Sequence, residues 1–304
     1  MGNSNWDAAK YRGYSSSVKS KSSREIFTNT SGCHEDLDPA KIKIRESVDS
    51  EANPESTPVI VCVDETGSMG HLATEIIKRS LGVIVQGIYD RKPVTDPHIL
   101  LAAVGDMYCD SAPLQVTQFE ADVSITEQIE KFYIEGNGGA NNGESYPAIW
   151  WFAQNKTVCD SINKRGRRGY IFTIGDECPL PMILKEHIKR FMDVDIQSDI
   201  KIEDLLKDVQ DKWHVFHLIT PTTATEHQGA IKRWRELLGQ QTIIVPDHEK
   251  LGEIIVSTMQ VNEGENLDAV CDGWDGITGL AVRDAVSDLA SKSNEKRSAE
   301  IVNV

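Results

Sequence analysis

The sequence lacks long apolar runs, and this absence limits where the protein can reside. Nothing in it approaches the roughly 18 consecutive apolar residues that a membrane-spanning helix requires. The start of the chain contains serine and lysine and lacks the apolar region of a signal peptide. It also fails the myristoylation pattern, because Trp6 stands where serine or threonine is needed. We therefore expect a cytoplasmic protein with no membrane partner.

A regular cysteine framework and an excess of basic residues are also missing. The six cysteines show no CxxC spacing, which predicts reduced, mostly structural thiols. The net charge of −15 argues against general nucleic-acid binding, because that function needs a positively charged surface.

An apolar content of 39% in 304 residues is enough for a substantial core. We predict one α/β domain over residues 56–262, flanked by two different ends. Residues 1–55 lack sustained periodicity and begin with a serine-rich, locally basic stretch, which predicts a flexible N-terminal arm with one short edge strand over 42–48. Residues 263–304 are predicted to form a C-terminal helical extension and tail, whose apolar residues could dock back on the domain.

The stretch PVIVCVDETGSMG, residues 58–70, organises the predicted domain. Its apolar run Val59 to Val63 is bounded by a proline and by a polar turn, which indicates a strand buried on both faces. Asp64 then lies at the carboxyl end of the strand, where ligands of open α/β sheets gather. Thr66 and Ser68 follow at alternate positions. Such hard oxygen donors suit Mg²⁺ or Mn²⁺ better than Zn²⁺.

The rest of the chain alternates predicted strands and helices. Helices are predicted over 69–89, 126–133, 181–209, 223–238 and 247–260, and strands over 99–104, 114–120, 170–174, 213–220 and 242–245. This order predicts a doubly wound, mostly parallel, six-stranded sheet with one antiparallel edge strand and helices on both faces. Asp176 follows the strand Tyr170 to Ile174, so a second acid is expected at the carboxyl edge.

Two other patterns are not interpreted as the sites that they superficially suggest. The loop GNGGANNGE, residues 136–144, lacks the third glycine of a dinucleotide-binding fingerprint and follows a helix rather than a strand. His214 and His217 lie three apart on one strand, so they should face opposite sides of the sheet and cannot readily share a metal.

The D-x-T-x-S motif at Asp64, followed by Met-Gly, resembles the metal-ion-dependent adhesion site of von Willebrand factor A domains. The resemblance covers residues 56–262 and implies that Asp64, Thr66, Ser68 and Asp176 bind Mg²⁺ or Mn²⁺. It places Asn141 at the position of the second-loop ligand, where intracellular relatives have aspartate, and Glu144 at the acid downstream. Asn141 can still offer a carbonyl oxygen.

The same resemblance implies a function in protein binding rather than catalysis. An open metal position would be completed by an aspartate or glutamate of a partner protein. Intracellular relatives commonly act as adaptors or scaffolds of larger assemblies, including AAA-type ATPases, so an adaptor role is expected here.

A different class of protein fits the first motif as well. DETGS also resembles the nucleophile loop of haloacid-dehalogenase-like phosphotransferases, in which Asp64 would attack a phosphoryl group while Asp176 holds Mg²⁺. The further acid expected beyond the Gly-Asp pair is missing unless Glu177 substitutes for it. A hydrolase of the G-x-S-x-G type is not indicated.

Overall fold

A six-stranded sheet forms the centre of the molecule. The computed structural model describes residues 5–65, 74–134, 143–220 and 228–302, with the backbone alone for residues 77, 78 and 291–302. The sheet contains β2 (Thr57–Asp64), β3 (Pro97–Val104), β4 (Leu114–Val116), β6 (Gly169–Gly175), β9 (Trp213–Ile219) and β10 (Thr242–Ile244). All residues of β2, β3 and β6 are buried, as expected for central parallel strands with both faces covered.

The strand order is β10, β9, β6, β2, β3, β4. All neighbours pair in parallel except β3 and β4, which pair in antiparallel register. The first strand of this sheet along the chain, β2, therefore lies in its middle. Later strands are added first on the side of β3 and then on the side of β6. This arrangement confirms the predicted doubly wound α/β fold with one antiparallel edge strand.

Two layers of helices cover the sheet. The helices of the central region are α3 (Leu81–Arg91), α4 (Ile125–Ile129), α5 (Pro147–Asn155), α6 (Asp160–Arg165), α7 (Lys185–Met192), α8 (Ile202–Gln210), α9 (Gln228–Leu238) and α10 (Leu251–Asn262). A π-helical turn, Ile76–Ser80, leads directly into α3. Of the helix predicted over 69–89, the part up to residue 73 lies outside the described residues.

The two faces of the sheet have separate cores because side chains alternate along each strand. We call the face under Val59, Val61 and Val63 the arm face; its core includes apolar residues of α3 and α10. The face under Ile60 and Cys62 is the site face, and its core includes apolar residues of α5, α8 and α9.

The N-terminal segment corrects the prediction of a flexible arm. It contains α1 (Ala8–Val18) and α2 (Ser23–Ile26), and the side chains of Tyr11, Val18 and Phe27 are buried in the arm-face core. The serine-rich composition concealed these few widely spaced apolar side chains, which are enough to fix the segment because they pack on a surface formed elsewhere in the chain.

The short strand predicted over 42–48 is also placed differently. Strand β1 (Arg45–Ser47) pairs in parallel with β5 (Thr157–Cys159) in a separate two-stranded sheet, not at the edge of the main sheet. A second small sheet pairs β7 (Met182–Ile183) with β8 (Ile200–Lys201). Alternation alone predicted a strand here but could not identify its partner, because β1 and β5 lie far apart in the sequence.

The C-terminal segment forms α11 (Leu267–Asp272) and α12 (Gly276–Val302). Val282 and Val286 are fully buried in the arm-face core, whereas Ile277 and Leu280 are 75% and 66% exposed. The extension thus covers the apolar side of α10 with one face of its helix. Within the described ranges, no helix combines the length and the apolar character needed to cross a membrane.

Candidate metal site at the switch point of the sheet

The acids Asp64 and Asp176 lie at the point where the winding of the sheet reverses. Asp64 is the last residue of β2, and Asp176 follows β6 by one residue. These strands are hydrogen-bonded neighbours in parallel register, with Val63 opposite Ile174. From here the chain proceeds to β3 on one side and to β9 on the other. Both acids are buried, and such a reversal point is where open α/β sheets bind ligands.

Tyr146 holds the carboxylate of Asp64. Its hydroxyl donates a hydrogen bond of 2.7 Å to Asp64 Oδ2, and its side chain is fully buried just before α5. Burial, followed by the charges of Asp64, Glu144 and Asp176, raises the pKa of Tyr146 well above its ordinary value. The phenol therefore stays protonated and donates at neutral pH.

Gly175 is required by the close approach of Tyr146 and Asp64. A Cβ atom at this position would lie 1.9 Å from the Tyr146 hydroxyl and 3.0 Å from Asp64 Oδ2. Such a distance to the hydroxyl is far inside van der Waals contact, so any side chain would force Tyr146 away from Asp64. The glycine that ends β6 thus makes room for the contact between the two loops.

Aromatic side chains of the site face support Tyr146 from below. The ring of Trp234, on α9, lies 5.5 Å from that of Tyr146 and stacks on His217 at 3.6 Å. His217 shares a 2.9 Å hydrogen bond with Thr173, and burial lowers its pKa well below the ordinary value. Trp234 Nε1 also donates to the carbonyl of Glu177. One indole therefore contacts both the tyrosine and the loop that carries Asp176.

Backbone hydrogen bonds join the loops around Asp64. The N–H of Glu144 donates to the carbonyl of Cys178, and the N–H of Leu180 donates to the carbonyl of Glu144, at 2.9 and 3.0 Å. The N–H of Ser145 donates to Gly105, while its hydroxyl accepts from the N–H of Met107. The segment 144–146 thus connects the loop after β3 with the loop after β6.

Glu65 is directed towards the edge of the sheet. It is buried, and both of its carboxylate oxygens accept from Gln115 Nε2 on β4, at 3.2 and 2.9 Å. The same amide also bonds to the backbone of Tyr133 through both its nitrogen and its oxygen. This contact holds the start of the loop that follows Asp64 against the antiparallel edge strand.

The structure brings together two of the five predicted metal ligands, Asp64 and Asp176. Thr66, Ser68 and Asn141 lie outside the described residues. Within the described ranges, no three His, Cys, Asp or Glu side chains are grouped as a metal centre. The predicted separation of the histidines is confirmed, because His217 contacts Thr173 whereas His214 contacts Asn262 and Tyr170.

Sequence reasoning did not identify Tyr146 as part of the site. The contact of Tyr146 with Asp64 joins residues 82 positions apart in the sequence. Glu144 was recognised only through the resemblance. The one local signal was position, since Tyr146 follows the glycine-rich loop and precedes the proline that begins α5.

The chemistry of the donors is compatible with a hard divalent cation. Asp64 and Asp176 offer carboxylate oxygens, the ligands that Mg²⁺ and Mn²⁺ prefer. Tyr146 fixes one of these carboxylates by an outer hydrogen bond, which is how metal sites commonly orient their ligands. Two carboxylates leave coordination positions for water and for the oxygens of the predicted ligands Thr66, Ser68 and Asn141.

No family model matches the chain, and no curated protein matches it significantly. Among solved structures it is similar to the pilus adhesin SpaC of Lactobacillus rhamnosus GG in its open conformation, at 10% identity and a TM-score of 0.47, over 72% of this chain and 31% of the adhesin. BatB of Bacteroides thetaiotaomicron is matched at 12% identity and a TM-score of 0.38, over 69% of this chain and 100% of BatB. The chain thus spans less than a third of the adhesin, and the fold class rests on the strand order itself.

Proposed function

We propose that this protein is a von Willebrand A-type binding module that recognises protein partners through a Mg²⁺ or Mn²⁺ site at the switch point. The observation that carries the proposal is the position of Asp64 and Asp176 at the carboxyl ends of the paired strands β2 and β6, with Asp64 held by the hydroxyl of Tyr146. The proposed ligands are these two acids with Thr66, Ser68 and Asn141. This chain would act as an adaptor or scaffold, and its partner is a protein that offers an aspartate or glutamate; AAA-type ATPases and larger assemblies are the first candidates.

The residues of this chain have distinct parts in the proposed interaction. Asp64 and Asp176 would supply negative charge, and the hydroxyls of Thr66 and Ser68 would supply neutral oxygens, so that a bound cation keeps an electrophilic position open to a partner carboxylate. Tyr146 orients Asp64 through the hydrogen bond to its Oδ2 atom. The antiparallel edge strand β4 is expected of such a binding module, which is why we propose binding rather than phosphoryl transfer.

Calorimetric titration with MgCl₂ and MnCl₂ tests the metal site. We expect wild-type protein to bind one ion and Asp176→Asn to lose binding because a charged ligand is removed. Tyr146→Phe should weaken binding by about 10–100-fold, because outer-shell hydrogen bonds have effects of this size. Glu203→Gln, an exposed acid paired with Arg233, is the matched control and should bind like the wild type. Undetectable binding by the wild type at millimolar concentration would overturn the metal site.

Pull-down with wild-type protein and Asp64→Asn, with and without a chelator, tests the function. Partners captured only by the wild type in the presence of metal support the proposal. Acid-stable phosphorylation of Asp64, or hydrolysis of a generic phosphate ester that Asp64→Asn abolishes, would instead identify a phosphotransferase.

A further inference from the structure

A cavity lies on the arm face of the sheet. Its volume is about 530 Å³, and it opens between α1, α3 and the segment that precedes α12. Small-molecule sites are typically about 300–1,000 Å³ and are lined by apolar and aromatic side chains with a few polar groups. We propose that this cavity binds a flat aromatic molecule carrying one anionic group.

The cavity has aromatic walls on two sides. Trp6 and Tyr11 form one wall, with their ring centroids 5.0 Å apart and their planes inclined by 38°. Trp274 forms the other, and the Arg91 guanidinium lies 3.5 Å from the centre of its ring. Broad, rigid π surfaces stack on flat ligands at little cost in conformational entropy. The walls therefore favour an aromatic body over a flexible chain.

The glycine at position 82 sets the shape of the floor. A Cβ atom there would lie 2.2 Å from a ring carbon of Tyr11, so Tyr11 can rest against α3 only because residue 82 has no side chain. Glycine inside a helix is less favourable than alanine. Here it lets the arm pack closely while Val83 and Gln86 remain at the bottom of the cavity.

Three arginines line the cavity, and they differ in how their charges are compensated. Arg12, Arg79 and Arg91 line it, against a single carboxylate, Asp90. Arg79 is paired with Glu249 and Glu253, and Arg91 donates to the carbonyl of Gly273. For Arg12, by contrast, no acid lies within 4.0 Å among the residues that the structure describes. In a chain of net charge −15, this exposed cation is the group that would recognise an anion.

Calorimetry with 2-naphthoate, with its neutral analogue 2-naphthamide and with laurate tests the proposal on the full chain at low ionic strength. We expect one naphthoate per chain and weaker binding of the amide. Arg12→Gln should weaken the binding of naphthoate by about two- to fivefold, the effect of one exposed charge pair. It should also remove the preference for naphthoate over naphthamide. Lys10→Gln changes a cation on the same helix that does not line the cavity and should have no effect.

A second pair of variants tests the location. Ala8→Phe fills the cavity from α1 and should weaken the binding of naphthoate by about tenfold or more. Ala9→Phe adds the same ring at the exposed neighbouring position and should leave the binding of naphthoate unchanged. Circular dichroism checks that both variants fold. Any of three results would overturn the proposal. These are equal effects of the two variants, equal affinity of the wild type for naphthoate and naphthamide, and binding of laurate alone. Metal titration of the same variants is expected to match the wild type, which separates this site from the switch point.

Discussion

The two faces of the sheet are covered in different ways. The site face supports the candidate metal site, whereas the arm face holds the two terminal segments of the chain. On the site face, Trp234 and His217 pack directly under Tyr146 and hence under Asp64. On the arm face, both ends of the chain pack over α3 and α10, and the arginine-rimmed cavity remains between them. The site face should therefore control metal affinity, while the arm face should contribute mainly stability.

The largest expected effect comes from truncating one aromatic residue on each face. Trp234→Ala and Phe27→Ala should each lower the free energy of unfolding by about 3–5 kcal/mol, because both side chains are buried. Only Trp234→Ala should also weaken Mn²⁺ binding, since its indole contacts Tyr146 and donates to Glu177. Urea denaturation and calorimetry on the same samples provide the two measurements. Equal losses of Mn²⁺ affinity in both variants would remove the distinction between the faces.

A second contrast between the faces concerns stability at acidic pH, because buried histidines lie on the site face. His98 shares a 3.2 Å hydrogen bond with Ser47, and burial lowers its pKa to about 4. The unfolded chain, with an ordinary histidine pKa, binds this proton more readily than the folded one. Stability should therefore fall as the pH drops from about 6.5 to 4, with a slope of up to about 1.4 kcal/mol per pH unit for each such histidine.

His217 has a pKa shift in the same direction, so it adds to the slope. His98→Gln should make the unfolding free energy less dependent on pH within this window, as measured by urea denaturation at several pH values. His248→Gln changes a histidine on the surface and serves as the control. An unchanged slope in His98→Gln would show that His98 is not the group responsible.

The fold could be predicted from the sequence because its central strands carry unambiguous local signals. The run Val59 to Val63 and the strand Tyr170 to Ile174 are continuous apolar segments that end before an acid, and the structure has them as adjacent parallel strands. The docked arm could not be predicted in the same way. Tyr11 and Phe27 stand among serines and charged residues, and their burial depends on a surface formed by α3 and α10.

The candidate site was predicted in part for a related reason. Asp64 and Asp176 are marked by position, since Asp64 ends one buried strand and Asp176 directly follows another. Tyr146 has no such mark, because its role arises from tertiary packing: Gly175 leaves space for its hydroxyl, and Trp234 supports its ring. Residues whose partners lie far away in the sequence can be recognised only once the fold is known.

The smallest expected effect concerns how the arm is held beside the first loop. Ser23 Oγ and Thr74 Oγ1 form a 2.7 Å hydrogen bond between α2 and the residue that follows loop 66–73. Ser23→Ala should destabilise the docked arm by about 1 kcal/mol, the net value of one such bond. Amide exchange at Ile26 and Phe27, whose N–H groups donate within this turn, should then accelerate about fivefold if it proceeds by local opening of the arm. Ser17→Ala, which removes a hydroxyl bonded only within its own helix, is the matched control. Exchange that is unchanged in Ser23→Ala, or equally accelerated in both variants, would show that this hydrogen bond does not hold the arm and that its apolar side chains suffice.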